Sequence, residues 1–279
     1  MRIYRWRGGF ALAFTYFAFM APVFGQGTFY TPDQEPAAWN ISQHPAAWDI
    51  NLAVGAAMQP TFSGSDRYRA IPIPLVIIRW RDMVSLGQDG LNFYWHDNNL
   101  RLGGGVTYDG GRLDHATNGV LSSGDNRLMG LGNVDASVGL RAFASYKLGP
   151  VYLDTSAVKY LGPQNKGIQV NVGASASLDL TKQFVVRPHI GATLADDDYM
   201  RTFFGVSPIQ TSRSIFPQFN ASAGLEDINE GLTLVYLLSN HWFLGADASA
   251  THYLDSAAKS PITISNTSAT VAAVVGYHF

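Results

Sequence analysis

Residues 168–178 read Ile-Gln-Val-Asn-Val-Gly-Ala-Ser-Ala-Ser-Leu, with apolar side chains alternating strictly with polar or small ones. Successive side chains of a β-strand point to opposite faces of its sheet, so this pattern predicts a strand with one apolar and one polar face. The same alternation recurs at residues 48–58 and 134–146. No stretch after residue 25 has the ~18 consecutive apolar residues of a transmembrane helix. The sequence therefore predicts an all-β protein.

Twelve segments have this strand character, and no shift in composition divides them into separate domains. They are residues 48–60, 71–80, 83–95, 99–108, 134–146, 151–160, 167–179, 183–194, 216–227, 230–238, 242–254 and 267–279. The second has Pro72 and Pro74, which cannot donate to a strand ladder. In the third, Gly87 and Gly90 suggest a β-bulge. Short turns are predicted at 147–150, 227–230 and 239–241, and long connections at 61–70, 109–133, 195–215 and 255–266.

An even number of alternating strands is typical of a closed antiparallel transmembrane β-barrel. Closure satisfies every backbone group in hydrocarbon, where an open strand edge is costly. The alternative, a secreted β-sandwich or lipocalin-like barrel, would bury its apolar face instead. Aromatic residues end the apolar faces, at Trp48, Tyr146, Trp242, Tyr277 and Phe279, as a membrane interface requires. Charges of both signs lie on the polar faces, at Asp49, Arg101, Asp135, Arg141, Asp154, Arg187, His189, Glu226 and Asp247, which suits a lumen.

The composition excludes several classes of function. Only 14% of the 279 residues are charged, against about 25% in an average protein. The chain has no cysteine, which excludes disulfides, thiolate metal sites and cysteine nucleophiles. It has 19 basic and 21 acidic residues, so it offers no basic field for nucleic acid. We therefore expect neither a nucleic-acid partner nor a cofactor.

The N-terminus has the pattern of a secretory signal peptide. Arg2, Arg5 and Arg7 precede an apolar stretch at 8–24, and small residues allow cleavage after Gly25. An uncleaved membrane anchor is the alternative interpretation. We expect residues 1–25 to be a signal peptide, 26–47 a flexible periplasmic lead-in and 48–279 the barrel. This organisation predicts the outer membrane of a Gram-negative bacterium.

The last segment has a second targeting feature. Tyr277 and Phe279 lie on its apolar face, and the sequence ends on Phe279. Outer-membrane barrels commonly end in such an aromatic strand. We therefore expect Tyr277 and Phe279 to be an assembly signal read by the barrel-assembly machinery.

Four stretches resemble the MltA-interacting protein (MipA/OmpV) family and follow one another in the family's order. They are residues 60–68 (PTFSGSDRY), 130–135 (GLGNVD), 199–210 (YMRTFFGVSPIQ) and 253–262 (YLDSAAKSPI). The family-like loop positions are Pro60, Gly64, Ser65, Tyr68, Ser260 and Pro261. The resemblance covers residues from about 50 to 279.

The resemblance implies an outer-membrane scaffold for murein metabolism, and we expect it to be non-enzymatic because no constellation of residues supports catalysis. The family's namesake is held to bridge a lytic transglycosylase and a murein polymerase. Other relatives are described as adhesins, or as pores that respond to osmolarity or take up drugs. A narrow pore or an adhesin is therefore the alternative function.

Other polar groups offer weaker candidates for chemistry. Three consecutive aspartates, 196–198, have oxygen ligands for a hard cation, but a solvated loop is the simpler interpretation. The seven histidines lack metal-ligand spacing. Ser239 and His241 suggest a hydrolase pair, but they lie in one tight turn. Ser207 and Gln210 have the spacing of a capping box and predict one helical turn.

The predicted strand count also assigns sides to the loops. Counting back from a periplasmic C-terminus, with a turn at 228–229, places connections 109–133 and 195–215 in the periplasm. Long loops on a rigid scaffold often carry function. The candidate partner-binding residues in them are Gly130, Leu131, Gly132, Phe204, Gly205, Val206, Ser207 and Gln210.

Overall fold

The computed structural model describes residues 48–81, 83–117, 124–162 and 166–279, which form one closed antiparallel β-barrel. β1 pairs with β2 on one side and with β13 on the other, so the first and last strands close the wall. The predicted fold class is confirmed. The predicted signal peptide and lead-in lie outside the described residues. The strands are β1 (Trp48–Pro60), β2 (Tyr68–Trp80), β3 (Val84–Gly87), β4 (Gly90–Asp97), β5 (Leu100–Asp109), β6 (Ser137–Leu148), β7 (Val151–Leu161), β8 (Ile168–Ala176), β9 (Leu178–Asp179), β10 (Phe184–Ala195), β11 (Gly224–Leu237), β12 (Trp242–Tyr253) and β13 (Thr267–His278).

The wall has twelve strands because β8 and β9 are two segments of one strand, both paired with β10. Asp196, just after β10, donates its backbone N–H to Ile168 of β8. Along a strand, the backbone N–H and C=O of successive residues point alternately toward the two neighbouring strands. Pro188 is eight residues before Asp196 in β10, so its nitrogen also faces β8 and β9. Because proline has no N–H, the ladder loses a hydrogen bond there and the strand is divided.

One predicted strand is two strands, and two predicted strands are one, so the two errors leave the predicted strand count of twelve unchanged. Predicted strand 83–95 is a tight hairpin of β3 and β4, with Gly90 in the left-handed region at φ 102°. Predicted strands 216–227 and 230–238 merge into one strand, β11, which begins only at Gly224, so residues 216–223 belong to the preceding connection. Its residues 227–230, predicted as a turn, pair with both β10 and β12. The polar Asp227 and Asn229 suggest a turn by composition, but both side chains point into the barrel.

The joined β11 reverses the predicted sides of the long connections. The chain enters β1 and leaves β13 at the same end of the barrel, because the number of strands is even. Connections 61–67, 110–136, 196–223 and 254–266 all lie at the opposite end. The prediction that 109–133 and 195–215 share the end of the C-terminus was therefore wrong. In the described part of the chain, the end where β1 begins and β13 ends has only short turns.

The helices lie in the long connections. They are α1 (Asp197–Phe204), α2 (Pro208–Thr211), α3 (Asp255–Lys259) and a 3-10 turn, Asn126–Leu128. Both hydrogen bonds of the capping box between Ser207 and Gln210 are present at α2, which confirms that prediction. None of the described helices is long and apolar enough to cross a membrane.

The two faces of the wall follow the predicted alternation on most strands. On β1, Val54 is 64% exposed and points outward, whereas Asn51 is 1% exposed and points inward. On β8, Val172 points outward and Ser175 inward. β2 differs, since its inward residues Ile71, Ile73, Leu75 and Ile77 are apolar and buried. One side of the lumen is therefore apolar.

Candidate functional site

The four long connections fold together into one cap over an end of the barrel. An apolar cluster takes residues from all four connections and buries them against one another: Phe62, Leu128, Leu131, Val206, Phe216 and Ile262. A second cluster joins α1 and α3 to the ends of β10 and β12: Ala195, Tyr199, Met200, Phe204, Ala221, Tyr253 and Ala257. Burial of so much apolar surface makes the cap one packed unit.

Four of the eight candidate partner-binding residues are buried in this cap, whereas Gly132 and Ser207 are exposed. Leu131, Phe204 and Val206 are 4%, 1% and 1% exposed. Gln210 connects the two motifs, since its Nε2 donates to the carbonyl of Leu131 at 2.6 Å. These side chains hold the cap together, and their burial leaves them little surface for a partner.

The glycines of the same motifs serve turns and close contacts. Gly130 and Gly132 have φ of 92° and 79°, and both donate their N–H to Oδ2 of Asp114. The hydrogen bond from His115 lowers the pKa of the Asp114 carboxyl, and the two glycine N–H groups lower it further against the effect of burial. Gly205 follows α1 and donates its N–H to the carbonyl of Arg201.

The family-like loop positions also maintain the cap. The carbonyl of Gly64 accepts from the backbone N–H groups of residues 264 and 265, which ties connection 61–67 to connection 254–266. Ser260 donates its hydroxyl to the carbonyl of Phe204 at 2.6 Å. The hydroxyl of Tyr68 accepts from the backbone N–H of Ala269. Pro60 ends β1, and Pro261 is half-buried beside the buried Ile262.

A charged cluster connects the first two loops of the cap. Asp125 is 5% exposed; it accepts from Nη2 of Arg127 at 3.1 Å and from the hydroxyl of Thr61 at 2.7 Å. Arg127 also pairs with Asp66 and donates to the hydroxyl of the buried Ser65. Burial would raise the pKa of the Asp125 carboxyl, but the hydrogen bonds from Arg127 and Thr61 lower it overall. The carboxylate is therefore held in its charged form.

Two cations, Arg112 and Lys166, bind groups where the cap meets the barrel wall. Arg112 donates Nη1 to the carbonyl of Phe203 at 2.6 Å, in the last turn of α1. Burial lowers the pKa of Arg112 to about 10, partly opposed by Asp114. The guanidinium therefore stays charged at neutral pH beside the negative end of the helix. Lys166, 3% exposed, pairs with Asp109 at 2.6 Å.

The apolar side of the lumen is filled with side chains. Ile73, Leu75 and Ile77 of β2 pack in one cluster with Val235 and Phe243 of the facing strands. These side chains surround a small cavity in which the polar lining residues are Asn51 and Thr233. An open aqueous channel would expose its lining, but Ile73 is only 2% exposed. The barrel is thus closed along this side.

Charged side chains lie elsewhere in the lumen, beside the apolar cluster and nearer the cap. Arg141 of β6 pairs with Asp89, at the tip of the β3–β4 hairpin, at 2.9 Å. Nearer the cap, the register between β10 and β11 shifts at Thr193, and Glu226 is left as an extra residue, a β-bulge, in β11. The bulge interrupts the alternation of side chains, so the consecutive residues Glu226 and Asp227 are both buried. Glu226 accepts from Gln169, and Asp227 accepts from Thr193. Lumenal charges were predicted, whereas the apolar side was missed. The signal was the run 70–78, which is apolar on both faces.

Aromatic side chains cluster at the end where β1 begins and β13 ends. Tyr277 contacts the rings of Trp242, Phe279 and His241, with centroids 5.2, 4.7 and 5.3 Å away. Trp48 packs near Trp80. This arrangement is typical of a membrane interface. The structure brings the two assembly-signal residues together, and their role in assembly stays a prediction.

The weaker candidates have local structural roles. Asp196 caps α1 through the N–H of Tyr199, and Asp197 accepts from the backbone N–H of Ala223. The hydroxyl of Ser239 accepts from backbone N–H groups in its own turn. Nδ1 of His241 lies 2.9 Å from the carbonyl of His278, so the imidazole is engaged with the backbone of the last strand rather than with Ser239.

Comparison with known proteins identifies the family. A family model described as MltA-interacting protein MipA matches residues 52–279. The chain belongs to this family. Family membership and the closed barrel place the protein in the outer membrane of a Gram-negative bacterium, as predicted. The chain matches none of the curated proteins with which it was compared.

Solved outer-membrane barrels are similar only at low identity. The NanC porin has a TM-score of 0.44 and 8% identity, over 81% of this chain and 98% of the porin. Outer-membrane expressed OmpT of Vibrio cholerae has a TM-score of 0.39 and 6% identity, over 85% and 99%. Salmonella typhi OmpF, in complex with daunomycin, has a TM-score of 0.38 and 11% identity, over 83% and 97%. The architecture of this chain rests on its own strand pairing.

Proposed function

We propose that this protein is a non-enzymatic outer-membrane anchor that binds a murein lytic transglycosylase at its periplasmic end. The filled apolar side of the lumen carries this proposal. Side chains of β2 reach those of β11 and β12 across the barrel, which leaves no wide channel on that side. The cap covers the other end of the barrel. A closed barrel suits an anchor better than a diffusion pore.

The orientation follows from loop lengths. Outer-membrane barrels keep short turns in the periplasm and long loops outside. The cap would then face the medium, and the short turns and both ends of the barrel domain would face the cell wall. The partner surface proposed here is therefore the periplasmic end, rather than the candidate residues in the cap.

The family's name supports the partner class, since it refers to interaction with MltA. A murein polymerase is the second partner that the resemblance implies. With both enzymes bound, the barrel would couple murein cleavage and synthesis at the membrane.

Binding of a purified lytic transglycosylase to the full mature chain in lipid nanodiscs tests the proposal. Lys182→Glu and Asn240→Lys change exposed turns at the periplasmic end and should weaken capture. Ile209→Glu, on the exposed surface of the cap, is the matched control and should not. Adding the polymerase tests the bridging role through a ternary complex. Absence of capture, together with steady ion conductance in planar bilayers, would favour a pore.

An adhesin is the second candidate, and one observation favours it. Met129, Ile209 and Ile215 are 59%, 63% and 85% exposed on the cap, and large apolar side chains at a surface often mark a contact site. The same Ile209→Glu variant separates the two functions. If it lowers attachment of cells to a surface and leaves enzyme capture unchanged, the cap is adhesive.

A further inference from the structure

A carboxylate lies on the lipid-facing side of β11. Glu230 alternates with the inward residues Asn229 and Gly231, so its side chain points outward, and it is 61% exposed. The outward residues that surround it on its own strand and on the two neighbouring strands are all apolar. They are Ile228 and Leu232 on β11, Ile190 on β10 and Ala250 on β12. The charge of Glu230 therefore stands alone in an apolar part of the wall.

The depth of Glu230 places it within the hydrocarbon. Tyr236, six residues further along β11 and 42% exposed on the same face, belongs to the aromatic end of the barrel. Six residues of a strand tilted by about 40° rise ~15 Å along the barrel axis. The apolar band of an outer-membrane barrel is about 25 Å tall, so Glu230 lies inside that band. Ionisable groups at such depth are rare and usually mark a functional contact.

The chain itself supplies only a distant partner for this carboxylate. Nε2 of His252, on the lipid-facing side of β12, is 3.7 Å from Oε1 of Glu230, which is too far for a hydrogen bond. Nδ1 of the same imidazole contacts the hydroxyl of Thr267 at 3.1 Å, which leaves Nε2 toward the carboxylate. Among the residues that the structure describes, no other side chain pairs with Glu230. Lipid tails offer no hydrogen-bond donor that would complete the site.

The carboxylate and the imidazole lie side by side on neighbouring strands, so this face is complementary to itself. Two copies inserted in the same direction can be related by a two-fold axis parallel to the membrane normal. An axis that passes between β11 and β12 brings β11 of each copy against β12 of the other. Glu230 of one copy then faces the partner's His252, and the reciprocal contact forms at the same time. This is the isologous geometry of most homodimers.

The wall beside this pair is smooth enough for close approach. The three outward residues of β12 that precede His252 are alanines, and so are two of the three residues of β13 that pair with them. They are Ala246, Ala248 and Ala250 on β12, and Ala269 and Ala273 on β13. Small side chains let the backbones of two membrane-spanning segments come close. The side chains at the edge of this smooth area, Glu230 and His252, would therefore be within reach of a second copy.

We propose that the lipid-facing surface of β11 and β12 is a docking site for a second copy of this protein, with Glu230 and His252 paired between the two copies. The charge complementarity of these two side chains selects this occupant. A lipid phosphate would place a second negative charge beside Glu230, which like charges disfavour. The contact uses neither the cap nor the short turns, so it is independent of the proposed anchor function.

Cross-linking of single cysteines tests the contact in the full mature chain. Leu232→Cys lies beside Glu230 and Leu102→Cys lies on β5, on the opposite wall, and both leucines are 40% exposed. Each purified variant is reconstituted at low protein density into phosphatidylcholine liposomes and treated with a short membrane-permeable bismaleimide. We expect a cross-linked dimer from Leu232→Cys and monomer from Leu102→Cys. Equal yields of dimer, or monomer from both, would overturn the proposal. Cross-linking that requires added lipopolysaccharide and a divalent cation would also overturn it, and would assign Glu230 to the lipid.

Exchange of the two side chains separates a specific contact from crowding. In the Leu232→Cys background, Glu230→His opposes imidazoles and His252→Glu opposes carboxylates, so each should abolish the cross-linked dimer. The combined variant again places a carboxylate opposite an imidazole and should restore the dimer. Heat-modifiable migration on gels shows which variants fold. If an exchanged variant does not fold, Glu230→Leu removes the charge from the lipid face and should still abolish the dimer. Cross-linking that survives Glu230→Leu would overturn the proposal.

Discussion

The ring of Phe243 lies directly over Gly276 of the neighbouring strand. A Cβ at position 276 would fall 2.2 Å from Cζ of Phe243, a distance that carbon atoms cannot adopt. The glycine therefore makes the space in which the ring turns into the lumen and packs against Ile73 and Leu75. The closure of the apolar side depends on this pair.

Gly276→Val should displace Phe243 and loosen the lumenal cluster. Overpacking typically costs about 1–3 kcal/mol, so the heat-modified transition on gels should shift to lower temperature. Gly104→Val is the control, because a Cβ there meets its nearest neighbour at an ordinary 3.5 Å. Equal destabilisation by both variants would contradict the role of the contact.

Val172→Arg should impair barrel assembly, because it places a charge on the lipid face of β8. An arginine at the bilayer midplane costs about 2–4 kcal/mol. Ser175→Arg places the same side chain on the lumenal face of the same strand and should be tolerated better. The yields of folded barrel in the outer membrane give the comparison. Similar yields would mean that the two faces are assigned wrongly.

Removal of Phe279 should slow insertion and increase degradation in the periplasm. Its backbone N–H donates to the carbonyl of Ile50 across the closing pair of strands, and its ring packs against Tyr277. A chain that ends at His278 loses both interactions and the predicted assembly signal. Pulse-chase measurement of the heat-modifiable form follows the rate. A normal rate would show that the terminal ring is dispensable.

Single cysteines should report the orientation of the barrel, since the native chain has none. Ser207→Cys, exposed in the cap, should react with an impermeant maleimide on intact cells. Asn240→Cys, exposed in the turn between β11 and β12, should react only after the outer membrane is permeabilised. The reverse pattern would place the cap in the periplasm.

The cap should weaken in acid through Asp125. Its pKa in the folded protein is below the value of about 3.9 for a free aspartate. The carboxylate therefore stabilises the fold fully above that value, and the stabilisation is lost as the pH falls through the folded pKa.

Hydrogen-exchange protection of residues 61–67 and 125–131 should accordingly fall below about pH 4, after correction for intrinsic rates. Asp125→Asn should reduce protection at pH 7 and show a smaller further loss in acid. The loss of protection that the variant still shows in acid is expected from Asp66 and Asp114, whose carboxyl pKa values are also lowered. An identical pH profile in the variant would exclude Asp125 as the cause.

Local sequence determined which residues of β1, β6, β8 and β13 face lipid, because side-chain direction alternates with every residue and needs no partner. It also determined the capping box at α2, since Ser207 and Gln210 are three residues apart. The family-like loop motifs were recognisable because each is a short continuous stretch of sequence. Their structural role was not predictable, because Leu131 and Gln210 meet only when two distant loops fold together.

Tertiary structure decided three features: the strand boundaries, the end of the barrel at which each long loop lies, and the apolar cluster in the lumen. The polar run 227–230 is strand because β10 and β12 pair with it on both sides, and this pairing outweighs its turn-like composition. Pro72 and Pro74 fit within β2 because their nitrogens face an edge that no described strand occupies. Ile73 faces inward because Phe243, 170 positions away in the chain, packs beside it in the closed barrel. Register and closure are relations between strands, so no single segment of sequence contains them.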